Sequence, residues 1–152
     1  MTARAQKIEA IRRLPQELVS AVEGLNEEQL NTPYRKGGWT PRQIVHHIAD
    51  SHMNAFIRMK LILAEDHPTL KPYDQDMWAR ASDYTGSIDP SLAIVSGLHT
   101  RMAQLFESAN DAQWKRSGYH PEREENITLE DLLDTYVEHG KHHVHQILSV
   151  AK

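Results

Sequence analysis

The chain has 152 residues, of which 39% are hydrophobic and 25% charged, and its formal net charge is -4. These values predict one globular domain over residues 1–152. A negative net charge argues against nucleic acid as a partner, because non-specific binding to nucleic acid needs a basic surface. No apolar run approaches the roughly 20 residues of a membrane span, and no secretory signal opens the chain, so we expect a cytoplasmic protein with no membrane partner. Because the chain has no cysteine, a disulfide, a thiolate metal site and a cysteine nucleophile are excluded.

The first predicted helix covers about residues 5–22, where apolar side chains recur at helical spacing. Pro15 lies inside it and is a potential kink, because proline lacks the N–H of a helical hydrogen bond. A short helical turn is predicted at "NEEQL", where Asn26 and Gln29 have the spacing of a capping pair.

The second predicted helix begins at "TPRQ" and continues to about residue 64. Thr40 is a natural N-cap, Pro41 suits the first helical position, and Gln43 has the spacing that completes a capping box. We therefore expect a well-defined helix start at Thr40.

The third and fourth predicted helices also have start signals. The third opens with "DPS", in which Asp89 is the expected N-cap and Pro90 the first helical residue, and it runs to about residue 108. The fourth opens at Thr128 and runs to about residue 150.

No segment has the alternation of a β-strand, so the four amphipathic segments predict an all-α four-helix bundle. The connection over residues 66–88 is long for a bundle loop. Its length suits a crossover between parallel second and third helices. It carries Tyr73, Asp74, Trp78 and Tyr84, and long loops are often functional.

Four of the 10 histidines lie within "HGKHHVH". At about 100° per residue, His139 and His143 lie at the edge of the apolar face of the last helix, and His142 and His145 lie on the opposite side. The apolar face consists of Leu129, Leu132, Leu133, Tyr136, Gly140, Val144, Ile147 and Ala151. An i, i+4 histidine pair can hold one metal, but such a pair is more often partly exposed and inert.

The second helix offers a further imidazole. His47 lies on the border of its apolar face, in a polar stripe with Ser51, Asn54 and Arg58. Burying polar side chains without hydrogen-bond partners costs free energy of folding. We therefore interpret this stripe as the wall of a polar pocket. His52 lies within the apolar face, where a hydrogen-bonded core histidine is expected.

His47, His139 and His143 together form a constellation typical of a catalytic zinc site, in which three protein ligands leave one position open. Gly140 follows His139, so the His-Glu-x-x-His motif of metalloproteases, with its helix-borne general base, is absent. The alternative is that none of the histidines binds a metal.

The run "TPYRKGGWTPRQIVHHIADSHMNAFIRMKLILAEDHPTLKPYDQDMW" and the later "HGKHHVHQI" resemble the YfiT branch of the DinB-like metalloproteins. The resemblance covers nearly the whole chain and implies an up-down-down-up four-helix bundle, a homodimer, and one divalent metal per subunit on His47, His139 and His143. Three imidazoles suit zinc first, with nickel, copper, iron or manganese as alternatives. Similar proteins can carry an N-terminal extension ahead of the first helix.

The resemblance implies a metal-dependent hydrolase acting on a small molecule, and similar proteins transfer low-molecular-weight thiols such as bacillithiol. A metal on three imidazoles is a Lewis acid that activates either a water or a thiol, and a thiol has to arrive as a cosubstrate. The resemblance assigns no catalytic side chain, because the reacting group would be the metal-bound water or thiol. The alternative is a non-catalytic metal-binding or stress-related protein of the same fold.

Other residues are predicted to surround the metal. Asn54 and Arg58 can hold a polar or anionic substrate group, and Tyr73 and Trp78 on the crossover can close the site. Loop packing is the equally plausible role of the two aromatic residues. Asp50 is the predicted hydrogen-bond partner of a metal ligand, with an exposed helix carboxylate as the alternative.

Overall fold

A computed structural model describes residues 1–152. Four long helices dominate it: α1 (Ala3–Val22), α3 (Pro41–Ala64), α5 (Asp89–Ser108) and α7 (Leu129–Val150). The connections contain the single-turn helices α2 (Glu27–Leu30), α4 (Gln75–Trp78) and α6 (Asp111–Trp114), a 3-10 turn (Ser82–Thr85), and the strands β1 (Ser117–His120) and β2 (Glu125–Thr128). The prediction of four long helices is confirmed. None of the helices combines the length and the apolar composition needed to cross a membrane.

Ion pairs show that α1 and α7 are parallel. Arg4 pairs with Glu130 at the beginning of both helices, and one turn later Lys7 pairs with Asp134. Contacts that advance together along two helices require that both run in the same direction.

Hydrogen bonds show the same for α3 and α5. His46 bonds Ser91 near the beginning of both helices, and His52 bonds His99 about two turns further on. The two helices are therefore parallel, and the connection between them must return along the bundle.

The apolar core fixes the remaining orientation. Ile44 at the beginning of α3 belongs to one core cluster with Ile147 at the end of α7. Ile62 at the end of α3 belongs to the other cluster with Leu129 at the beginning of α7. Because α3 and α7 are antiparallel, the order of directions is up-down-down-up, which confirms the predicted topology.

The helix starts follow the predicted capping chemistry with one exception. Thr40 and Gln43 form a complete capping box at α3, and Thr128 forms one with Asp131 at α7. The third long helix instead begins at Asp89 itself, whose backbone N–H donates to the Ser87 hydroxyl at 3.2 Å. The prediction that Asp89 caps this helix is wrong, because Ile88 occupies the N-cap position and no side chain caps the helix there by a hydrogen bond.

The prediction that the chain contains no strand is also wrong. Strands β1 and β2 form an antiparallel hairpin between α6 and α7. The hairpin is joined to the crossover, since the Leu70 amide donates to the Tyr119 carbonyl and the Tyr119 amide donates to the Pro68 carbonyl, both at 2.8 Å. Strands of four residues with one β-branched core residue, Ile127, are too short to show an alternating pattern.

Candidate metal centre

The structure brings His47 from α3 together with His139 and His143 from α7, and we refer to these three residues as the triad. The Nε2 atom of His139 lies 3.1 Å from Nε2 of His47 and 3.1 Å from Nε2 of His143. One candidate ligand atom from each of the three rings lies within 4.8 Å of the others. Two nitrogens bound to one ion at about 2.0–2.1 Å are separated by about 3.3 Å in a tetrahedral site and about 2.9 Å in an octahedral one. The observed spacing fits a single small cation.

Burial keeps these imidazoles neutral. Burial, with a smaller repulsion from His143, lowers the pKa of His47 to about 3, and burial followed by repulsion from His143 and His47 lowers the pKa of His139 to about 2. Burial also lowers the pKa of His143. At neutral pH each ring therefore has one nitrogen lone pair, and three neutral imidazoles are a donor set that suits zinc and other divalent transition metals.

Gln146 sets the orientation of His143. The His143 Nδ1–H donates to the Gln146 amide oxygen at 2.8 Å, and the Gln146 amide nitrogen donates to Nε2 of His142 at 2.9 Å. The lone pair of His143 is thereby placed on Nε2, which faces the other two rings. His47 packs its ring edge-on against Trp39, with ring centroids 4.6 Å apart, and its buried Nδ1 has no hydrogen-bond partner.

His139 is oriented from the opposite side by a residue of the core. Its Nδ1 lies 3.0 Å from Nε2 of His52, whose side chain is 0% exposed. His52 is thus the hydrogen-bonded core histidine that its position in the apolar face indicates. Hydrogen bonds of this kind hold a ligating imidazole in one orientation and one tautomer.

The remaining histidines of the C-terminal cluster lie outside the triad. His142 and His145 are exposed, and neither belongs to the group of three converging rings. His142 does line the cavity above the triad. The helical phase of α7 therefore separates the four rings as the sequence indicates.

A cavity of about 380 Å³ opens over the triad, and we refer to it as the His cavity. Its lining consists of Tyr34, Arg35, Gly37, Gly38, Trp39, His47, Gln75, His139, His142, His143 and Gln146. No carboxylate is among these residues, and Arg35 is the one side chain with a fixed charge. An anionic group is thus favoured in this cavity.

Sequence reasoning missed the part of the lining that precedes α3. The segment "YRKGGW" turns the chain at Gly37, whose φ of 75° is a left-handed conformation that favours glycine. This turn brings Arg35 and Trp39 to the triad. A glycine pair between an arginine and a tryptophan was the available signal, but it has no helical or strand period.

The four predicted substrate-binding residues lie together, but around a different cavity. Asn54, Arg58, Tyr73 and Trp78 line a cavity of about 310 Å³ with Ile57, Leu61, Lys71, Pro72 and Asp74. We refer to it as the Arg58 cavity. The Tyr73 and Trp78 rings pack at a centroid distance of 4.8 Å, and Arg58 donates to the Lys71 carbonyl at 3.1 Å. None of these residues lines the His cavity.

Asp50 does not contact the triad by a hydrogen bond. Its carboxylate accepts from the Tyr84 hydroxyl at 2.7 Å, and its backbone carbonyl accepts from the Asn54 amide at 2.8 Å. Tyr84 belongs to the crossover, so the Asp50 carboxylate faces the crossover, although Asp50 and His47 are only three residues apart on α3. The hydrogen-bond partners that the structure gives to the triad are His52 and Gln146, which corrects the expected role of Asp50.

Comparisons with known proteins agree with this geometry. The family model of the DinB superfamily matches residues 10–147. The chain is 46% identical to "Putative metal-dependent hydrolase YfiT" of Bacillus subtilis (strain 168), over 95% of this chain and 82% of that protein. It is 49% identical to a "Putative metal-dependent hydrolase" of Geobacillus thermodenitrificans (strain NG80-2), again over 95% and 82%.

Two solved structures share the architecture. That of YfiT from Bacillus subtilis, described as having an unusual four-helix bundle topology, superposes with a TM-score of 0.95 at 42% identity and covers 99% of this chain and 88% of that one. A mycothiol-dependent maleylpyruvate isomerase gives a TM-score of 0.75 at 11% identity, covering 96% and 61% of the two chains. The second likeness shows the fold alone. With its family model, its close relatives and its topology in agreement, the chain belongs to the DinB superfamily.

Proposed function

We propose that this protein is a metal-dependent enzyme in which His47, His139 and His143 hold one divalent metal, zinc in the first place. The observation that carries the proposal is the convergence of three neutral imidazoles, one buried and two half-buried, on an open cavity, with Nε2 of His139 lying 3.1 Å from Nε2 of each of the other two rings. Relatives at 46% and 49% identity bear the name "Putative metal-dependent hydrolase". When bound, the metal would supply the Lewis acidity that lowers the pKa of a water or a thiol in the cavity.

A low-molecular-weight thiol is the first candidate for the nucleophile, and water is the second. Hydrolysis by water ordinarily needs a general base, and no carboxylate lines the His cavity to accept a proton. A thiol loses its proton far more readily than water, so it places less demand on the protein. Since the chain has no cysteine, the thiol is a cosubstrate, and the second reactant is an electrophilic small molecule.

The cavity residues bind and orient these reactants. Arg35 supplies a positive charge to an anionic group at the open side of the triad. Trp39 gives an apolar wall beside His47, and Gln75 brings an amide from the crossover. We also assign the Arg58 cavity to a remote part of the substrate or cosubstrate, held by Asn54, Arg58, Tyr73 and Trp78.

The test begins with elemental analysis of protein purified without a histidine tag. The protein is then assayed with an activated aryl halide in the presence and absence of small thiols, with and without zinc. We expect turnover that needs both zinc and thiol. Turnover that persists without thiol and rises with hydroxide between about pH 6 and 8 makes water the nucleophile. Metal without turnover on a broad panel of electrophiles overturns the catalytic proposal in favour of a non-catalytic metal-binding protein.

Two further features are proposed: a homodimer, on the resemblance to this family, and a cytoplasmic location, as expected from the sequence. Exposed apolar side chains around the Arg58 cavity, Ile57 at 52%, Met77 at 56% and Trp78 at 40%, offer surface for self-association. Light scattering should then give about twice the chain mass of 17.4 kDa. A monomer at micromolar concentration would contradict the dimer.

A further inference from the structure

A buried line of hydrogen bonds connects the backbone of α1 to the triad. The Ile11 carbonyl lies 2.7 Å from Nδ1 of His99. Nε2 of His99 lies 2.6 Å from Nδ1 of His52, and Nε2 of His52 lies 3.0 Å from Nδ1 of His139. His52 and His99 are both 0% exposed, so water cannot replace either of these two rings in the line.

Pro15 explains why the Ile11 carbonyl is available. In an α-helix the carbonyl of residue 11 accepts from the N–H of residue 15. Pro15 lies inside α1 and has no N–H. The carbonyl of Ile11 therefore lacks its helical donor and can accept from His99 instead. The proline that appeared as a potential kink in the sequence frees a hydrogen-bond acceptor in the core.

The carbonyl at one end fixes the direction of every bond in the line. A carbonyl oxygen can only accept, so His99 carries its proton on Nδ1. A neutral His99 then has a lone pair on Nε2, which requires a proton on Nδ1 of His52. By the same reasoning, His52 has its lone pair on Nε2 and accepts from the Nδ1–H of His139. The remaining lone pair of His139 is on Nε2, the atom that faces His47 and His143.

The opposite direction is unfavourable at both ends. It would set a lone pair of His99 against the Ile11 carbonyl oxygen at 2.7 Å. It would also put the His139 proton on Nε2, where it would block the position in which a metal binds. No buried carboxylate contacts the line to reverse or charge it.

We propose that His99 and His52 are positioning residues, and that with the Ile11 carbonyl they lock His139 in the Nδ1–H tautomer that presents Nε2 to the metal. The inference rests on the proposed function in one respect only, which is that the bound group is a metal. The tautomers are a property of the metal-free chain. In small molecules the neutral histidine ring carries its proton mainly on Nε2, so three rings in the Nδ1–H form are a distinctive signature.

The first experiment measures tautomers in metal-free protein labelled with ¹⁵N-histidine, by two-bond ¹H–¹⁵N correlation at neutral pH. We expect His52, His99 and His139 all to carry the proton on Nδ1. A proton on Nε2 of any of the three overturns the inference. Correct tautomers in a protein that binds no metal would leave the inference standing and overturn the proposed function.

The second experiment measures zinc affinity of His99 variants by competition with a chromophoric chelator. His99→Leu removes the acceptor of the His52 proton two rings away from the metal, and we expect affinity to fall about 10- to 100-fold, as for other hydrogen-bond partners of ligands. His99→Gln keeps both functions, since its amide can donate to Ile11 and accept from His52. It should retain affinity and the Nδ1–H form of His139. Unchanged affinity in His99→Leu contradicts the proposal.

His46 provides the matched control. It is also a buried histidine, at 6% exposure, but it bonds Ser91 and the Gly86 carbonyl instead of the line. His46→Leu should bind zinc as the unaltered chain does. A loss equal to that of His99→Leu would show a general effect of buried histidine removal and overturn the inference. If His99→Leu does not fold, the tautomers of the unaltered chain decide.

Discussion

The His cavity and the Arg58 cavity both lie along α3, and they differ in the groups that could bind a metal. The first has three convergent imidazoles and no carboxylate, and the second has Arg58 and Lys71 beside two packed aromatic rings. His47 and Arg58 are 11 residues apart, which is about 16 Å along a helix. One helix thus lines two cavities that each contain an arginine, and only the His cavity adds three convergent imidazoles.

The difference shows that the polar stripe of α3 is divided between the two cavities. In the sequence, His47, Ser51, Asn54 and Arg58 form one continuous stripe, which suggests a single pocket. In the structure the stripe serves two cavities, since Ser51 is buried and lines neither. Helical phase establishes which residues share a face, but it does not show which of them share a cavity.

The largest effect is expected when a proposed metal ligand of the His cavity is removed, because the Arg58 cavity contains none. His143→Ala leaves two imidazoles, so the metal content should fall to near zero and turnover to background, as measured by elemental analysis and by the thiol-dependent assay. His142→Ala, one residue earlier and outside the triad, is the matched control and should keep its metal. Loss of metal in His142→Ala with retention in His143→Ala would reverse the assignment of the rings.

Acid should destabilise the metal-free protein through its buried histidines. Burial lowers the folded-state pKa of His47 to about 3 and that of His99 to about 4, below the unfolded value of about 6.5. Between these pH values the unfolded chain binds more protons than the folded chain. The contribution of these histidines to the free energy of unfolding is therefore fully present above about pH 6.5 and decreases as the pH falls. Each such histidine contributes a slope of about 1.4 kcal/mol per pH unit.

Chemical denaturation of the metal-free protein at several pH values between 7.5 and 5 checks this slope. In His99→Gln one titrating ring is absent, so the slope should decrease by about 1.4 kcal/mol per pH unit. A free energy of unfolding that is constant over this range would show that the rings are not buried as neutral groups.

Metal removal should destabilise the protein without unfolding its helices. A ligand that binds only the folded state stabilises it by about 2.7 kcal/mol at 100 times its dissociation constant. For a chain of this size, chelation should then lower Tm by roughly 5–10 °C. Far-ultraviolet circular dichroism should be unchanged at 25 °C, because the two apolar clusters hold the bundle. Loss of the helical signal would make the metal structural.

The smallest expected effects compare the two arginines. Arg35→Ala should lower kcat/KM by about 10- to 100-fold, the value of one charged hydrogen bond near the reacting groups. Arg58→Ala should raise KM by up to about tenfold and leave kcat and metal content unchanged. If Arg58→Ala has no kinetic effect, the Arg58 cavity does not contribute to the site, and the substrate lies wholly within the His cavity.

The sequence predicts the bundle well because its main signals are local. Capping boxes at Thr40 and Thr128 and a 3.6-residue apolar period are properties of single helices, and so is the phase that separates His143 from His142. The hairpin at residues 117–128 and the line from Ile11 through His99 depend on contacts between distant segments. A histidine in the apolar face of α5 was the available signal for His99, but its partners cannot be read from one helix. The assignment of residues 1–152 to a single domain stays a prediction, which one cooperative unfolding transition would support.

The parallel arrangement of α3 and α5 has a consequence for how this protein can diversify. Two parallel neighbours need a connection that returns along the bundle, and here that connection brings Gln75 to one cavity and Tyr73 and Trp78 to the other. The three histidines lie on α3 and α7 and are not part of the crossover. Substitutions in the crossover therefore change the lining of both cavities without replacing a member of the triad, so under the proposed function reactant preference can evolve separately from metal binding.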